Sequence, residues 1–177
     1  MRRTIIILLA ATVVAISCIK VEPVSTIPEI TFKSLGLAIM TDTSLDNPNL
    51  LVGVLVFDFI DGDADIGIPE DYANDTTLPD SLRYNLFLTP YSKIDGVYSL
   101  IEYDEDTPPY YYIKENDKLE RVGQNKTIKG TITLTIVDLP VYDTIRYDFY
   151  IRDQAGNNSN IETTNDLGTD TTSYLTQ

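Results

Sequence analysis

Two stretches of strict two-residue alternation constrain this chain more than any other feature. Across 128–137, Ile128, Gly130, Ile132, Leu134 and Ile136 fall on one side and Thr131, Thr133 and Thr135 on the other. Across 145–152, Ile145, Tyr147, Phe149 and Ile151 alternate with Arg146, Asp148, Tyr150 and Arg152. A period of two sends apolar groups to one face of a strand and polar groups to the other, the pattern of a sheet with one dry and one wet side. Weaker alternation recurs at 30–39, 50–60, 82–89, 97–103 and 160–164, and nothing after residue 27 holds a long helical period. The stretch 50–60 is apolar on both faces as far as Asp58, which predicts a central strand covered twice. Turn formers separate these segments: Asp46-Asn47-Pro48-Asn49, Asp61-Gly62, Asp95-Gly96, Pro108-Pro109, Asp138-Leu139-Pro140 and Ala155-Gly156-Asn157-Asn158. About seven to eight such strands predict an all-β, antiparallel, immunoglobulin-like β-sandwich. The segments 62–81 and 104–123, poor in alternation and rich in acid, proline and tyrosine, are expected as two long loop or hairpin insertions.

The N-terminus reads as an export signal. Met1-Arg2-Arg3 precedes an apolar run, 5–16, that ends in Ser17-Cys18. The run is shorter than the roughly 20 apolar residues that a transmembrane helix needs. Ala15-Ile16-Ser17-Cys18 resembles the bacterial lipobox, departing from it at Ala15, where leucine is the commonest residue. The resemblance implies cleavage before Cys18, lipidation of its thiol and an address at the bacterial outer membrane or cell envelope, facing the periplasm or the surface. Cys18 is the only cysteine, so no internal disulfide can form and lipidation gives the thiol a purpose. The expected organisation is a signal peptide at 1–17, a lipidated tether at 18–27 ending between Pro23 and Pro28, a sandwich at 28–168 and a polar tail at 169–177.

Charge narrows the partners. The chain carries 27 acids against 13 bases, a net charge of −14, and loss of the signal would remove Arg2 and Arg3 but no acid. Such a surface argues against nucleic acid and fits cations, basic partners or plain solvation. With no histidine at all, Ser-His-Asp and Cys-His catalysis and histidine-bound zinc are excluded.

The stretch Phe57-Asp58-Phe59-Ile60-Asp61-Gly62-Asp63-Ala64-Asp65-Ile66-Gly67 carries the most chemistry. Asp61, Asp63 and Asp65 recur every second residue, with Glu70 and Asp71 following. Calcium takes 6–8 oxygens at about 2.3–2.6 Å, and closely spaced aspartates in a curling loop converge them. Without a cation these acids repel one another. An EF-hand is excluded, because Ile66 stands where its glycine belongs and Tyr72 where its glutamate belongs. Late in the chain, Asp153-Gln154-Ala155-Gly156-Asn157 resembles the loop between strands F and G of bacterial immunoglobulin-like surface domains, some of which bind calcium there. Asp143-Thr144-Ile145-Arg146-Tyr147 resembles their tyrosine corner, which implies a bond from the Tyr147 hydroxyl to the backbone of the corner. Phe149 then takes the place of the disulfide cysteine. If 50–60 is strand B and 145–152 is strand F, the B–C and F–G loops share one end of the sandwich, and Asp61, Asp63 and Asp65 meet Asp153 and Asn157 in one structural calcium site. Taken together, the two motifs resemble surface lipoproteins of Bacteroidota, a likeness that implies no particular activity.

Tyr110-Tyr111-Tyr112 offers apolar rings with hydroxyls, suited to ligand contact with a glycan or protein. The plainer expectation is a strand with Tyr110 and Tyr112 packed on the sandwich and Tyr111 exposed. Paired carboxylates can also hydrolyse glycosides, but in so acidic a chain some pair meets the required spacing by chance. The expected protein is therefore not an enzyme but a membrane-anchored binding, adhesion or scaffold module with a loop-stabilising calcium site. The alternative is a glycan-binding or glycan-processing accessory protein.

Overall fold

A computed structural model of the chain describes residues 24–41, 49–103, 109–114, 127–137 and 139–169. The expected signal peptide, Cys18 and nearly all of the polar tail lie outside them. The described chain is an all-β sandwich of two antiparallel sheets. The first sheet has the order β1-β2-β6, from β1 (Glu29–Thr41), β2 (Asn49–Asp61) and β6 (Ile128–Ile136). The second has the order β4-β3-β7-β8, from β3 (Leu86–Ile94), β4 (Val97–Leu100), β7 (Thr144–Ile151) and β8 (Glu162–Thr163). Two further short strands, β5 (Tyr110–Tyr111) and β9 (Leu167–Gly168), pair with β3 and β7. This order matches strands A-B-E facing C′-C-F-G of an immunoglobulin-like sandwich, with β2 as B and β7 as F.

The two alternating stretches behave as their sequence predicts. In β7, Ile145, Tyr147, Phe149 and Ile151 are buried while the residues between them are half-exposed. In β6 each outward threonine is exposed, and Ile128 and Ile136 close the buried side. The inward faces meet at Phe57 of β2 and Phe149 of β7, whose ring centroids lie 5.1 Å apart. This pair sits at the centre of the core, and burying each ring contributes roughly 1.5–3 kcal/mol. β2 is central in its sheet, but only one face is covered: Leu55, Phe57 and Phe59 are buried, whereas Val54, Val56 and Ile60 are half-exposed. Among the described residues no layer lies over the outer face of this three-stranded sheet, which corrects the expectation of double cover.

Two other segments change their bounds for local reasons. The segment expected to be a strand at 82–89 begins as a one-turn helix, α2 (Asp80–Arg83), after Pro79. The strand starts only at Leu86 and runs on through Pro90. It turns at Asp95 (φ 52°) and Gly96 (φ 81°), and this left-handed pair closes Ile94 onto Val97 in a two-residue hairpin. The strand expected at 160–164 shrinks to two residues, because side chains replace ladder partners. Ser159 Oγ accepts from Ile151 N at 3.1 Å, and Thr164 Oγ1 accepts from Tyr147 N at 3.0 Å.

Two asparagines then tie this segment to the opposite sheet. Asn160 accepts from Ile30 N at 2.8 Å and donates to Ile30 O at 2.9 Å. Asn165 bridges Leu35 N and O in the same way at 3.2 Å each. Each amide supplies one donor and one acceptor, as a neighbouring strand would. The tyrosine corner does not form as expected: Tyr147 lies wholly buried, and its hydroxyl makes no backbone bond but faces Tyr103 and Tyr111. Burial pushes that hydroxyl far up, so it stays protonated.

Candidate metal centre

The acidic loop begins where β2 leaves the core. Asp61, its last residue, occupies an inward position and is 0% exposed. The next residue must be glycine, because a Cβ at Gly62 would overlap the carbonyl oxygens of Val24 and Ser25. The end of the expected tether therefore packs across the acidic loop. Ala64 follows with φ 65°, a left-handed conformation unusual for alanine, and the chain curls so that Asp65 N donates to Asp61 Oδ2 at 2.9 Å.

The curl gathers carboxylate oxygens of Asp61, Asp63 and Asp65 within 4.8 Å of one another, an arrangement able to hold a metal ion. One oxygen of each, Oδ1, is buried and unpartnered. Burial, with the charges of Asp63 and Asp65 added, pushes the Asp61 carboxyl up to about 6. Asp65 is raised too, by burial and then by the charges of Asp153 and Asp63. All three are oxygen donors, so the chemistry of the set suits a hard cation.

The F–G loop arrives at the same pole. Gln154 N donates to Asp65 O at 3.0 Å, and Ala155 N donates to Asp65 Oδ2 at 3.2 Å. Gln154 Nε2 reaches Gly67 O at 2.6 Å. Gly156 has φ 89°, which favours glycine in this turn. Asp153 and Asn157, expected as ligands, meet each other instead. Asp153 Oδ1 accepts from Asn157 N at 2.7 Å and Oδ2 from Asn157 Nδ2 at 2.8 Å. They brace the loop, and Asp153 adds negative charge beside Asp65. Glu70 and Asp71 also stand apart. Both lie in the first turn of α1 (Glu70–Asn74), where the helix dipole favours acids, and Glu70 pairs with Lys114.

Sequence reasoning misses Asn85. Its Oδ1 accepts from Ile113 N at 2.7 Å, its Nδ2 donates to Ile66 O, and its own carbonyl accepts from Arg152 N at 2.8 Å. One buried residue thus joins the acidic loop and the tyrosine segment through its side-chain amide, and the end of β7 through its backbone carbonyl. Its partners are distant in sequence, so no local spacing announces them.

The tyrosine triplet is reversed from its expected arrangement: Tyr111 packs against the core, while Tyr110 and Tyr112 are exposed. The pairing of β5 with β3 sets this, because Tyr111 lies opposite the buried Leu86 and Tyr110 opposite Phe87. Tyr110 joins an outward ring array, 5.1 Å from Phe87 and 6.0 Å from Tyr84, and Phe87 stacks on Tyr150 at 5.0 Å. No family model, no curated protein and no solved structure matches this chain.

Proposed function

We propose that the protein is a lipid-anchored module of the bacterial cell envelope that binds, adheres or scaffolds, and that a calcium ion braces its loops at the acidic pole. The observation that carries this reading is the fully buried Asp61, whose Oδ1 has no partner beside the equally unpartnered Oδ1 atoms of Asp63 and Asp65. A buried carboxylate oxygen without a partner costs free energy, and a cation removes that cost for all three Oδ1 atoms at once. Calcium suits a set of oxygen donors on a flexible loop, with water and carbonyl oxygens completing its shell. Zinc is disfavoured, because the chain has no histidine and its one cysteine sits at the processing point. Enclosure of Asp61 also keeps substrate away from the one strongly raised carboxyl among the described residues, which supports binding over acid catalysis. Anchoring rests on Ser17-Cys18 and its likeness to a lipobox.

Isothermal calorimetry on the full-length protein tests the cation. Calcium should bind with a dissociation constant of about 10⁻⁴–10⁻³ M, as is typical of extracellular modules. Asp63→Ala with Asp65→Ala should abolish the heat. Absence of heat from the unaltered protein at millimolar calcium would overturn the reading.

A second reading, a glycan-binding accessory protein, draws support from the outward array of Tyr110, Phe87, Tyr84 and Tyr150. A reproducible hit on a glycan array, lost on Tyr110→Ala, would favour it.

A further inference from the structure

Between the acidic loop, the two short helices and the F–G turn lies a cavity of about 480 Å³. It is large enough for a small ligand, since such sites run from roughly 300 to 1,000 Å³. Several polar groups on its wall are already committed. Asn85 holds Ile66 and Ile113, Gln154 holds Gly67, and both oxygens of Asp153 hold Asn157. What remains for a ligand is Arg152, the hydroxyls of Ser81 and Tyr84, and the ring and hydroxyl of Tyr72; the Tyr84 ring already lies under Arg83 at 5.0 Å and faces Tyr110 at 6.0 Å. Arg152 donates through Nε to Asn158 at 2.8 Å and rests over Phe87 at 5.1 Å. It has no acidic partner within salt-bridge distance among the described residues, although the chain is strongly acidic. Tyr72 is 48% exposed on α1, with ring area open to contact.

We propose that this cavity is a ligand site and that it takes an acidic saccharide, a uronic-acid unit whose carboxylate pairs with Arg152 while its apolar ring face lies on Tyr72. The guanidinium presents planar N–H groups that match a carboxylate, and a tyrosine face suits the C–H side of a sugar ring. The hydroxyls of Ser81 and Tyr84 meet those of the sugar. A carboxylate fits the cavity better than a phosphate, because one guanidinium balances one charge, whereas a phosphate dianion would leave a second charge unbalanced beside Asp153, which also lines the wall. The inference goes beyond the cation reading by naming what the module binds, and it stands on residues other than the three aspartates.

Calorimetry on the full-length protein tests it, with tri-galacturonate as the probe and maltotriose as its uncharged counterpart. Tri-galacturonate should bind and maltotriose should bind at least about tenfold more weakly. Arg152→Gln should weaken tri-galacturonate about tenfold or more, Arg152→Lys less, and Tyr72→Ala, which alters an exposed helix position, about three- to tenfold. Absence of tri-galacturonate binding up to about 1 mM, equal binding of maltotriose, or unchanged binding by both Arg152→Gln and Tyr72→Ala would overturn the proposal. Calcium heat without saccharide heat overturns this proposal and leaves the cation reading standing. Saccharide heat without calcium heat supports this one and defeats the other.

Discussion

Asp61 carries the chemistry of the pole at the scale of a single side chain. It is an acid whose folded pKa stands at about 6 against an ordinary 3.8, so the folded chain holds its proton more tightly than the unfolded chain does. The sign follows: without a cation, the contribution of Asp61 to stability is greatest at low pH, falls as pH climbs through roughly 4 to 6, and stays reduced at neutrality. Asp65, raised in the same direction, adds to the trend. A bound cation reverses it, since it favours the ionised form and expels the proton. In a chelator the melting temperature should therefore fall between about pH 5 and about pH 7. Asp61→Asn should raise it at neutral pH, because the amide keeps an acceptor for Asp65 N and loses the buried charge. Calcium should no longer shift the melting of this variant. A lowered melting temperature for Asp61→Asn in chelator at neutral pH would count against the account.

Among the elements, β6 and β7 were legible because one wet face makes their alternation visible, and the Asp95-Gly96 hairpin because left-handed turns select few residues. The edges of the segments 82–89 and 160–164 were not legible. The first loses residues to a helix set by Pro79, and the second loses ladder bonds to Ser159 and Thr164. The three aspartates stood out by their spacing, whereas the retreat of Asp153 and Asn157 into a closed turn depends on which oxygens the fold leaves free. Asn85 was invisible because its side-chain partners lie 19 and 28 residues away. Its replacement should be costly. Asn85→Ala leaves Ile66 O and Ile113 N without their partner, at about 1–3 kcal/mol for each buried group. Urea unfolding should register a loss of about 3 kcal/mol, and a change below about 0.5 kcal/mol would contradict the role assigned to this amide.

At the scale of the whole molecule, the sandwich brings together two loops that are far apart in the chain, and the packing of Val24 and Ser25 across Gly62 sets the acidic pole beside the N-terminal end of the domain. If Cys18 is acylated, the stretch up to Val24 spans at most about 20 Å at roughly 3.3–3.6 Å per residue, so the pole is held close to the membrane. Cys18→Ser should then release the protein from the membrane fraction and abolish fatty-acyl labelling, and unchanged fractionation would contradict anchoring at that residue. The convergence of the two loops was legible from strand order alone, because the B–C and F–G connections of such a sandwich share an end. Whether the gathered carboxylates act on a cation is decided most directly by a crystal structure grown in calcium. One ion should be bound by oxygens of Asp61, Asp63 and Asp65 together, at about 2.3–2.6 Å. Only water among the three carboxylates, or an ion held elsewhere while they stay apart, would contradict it.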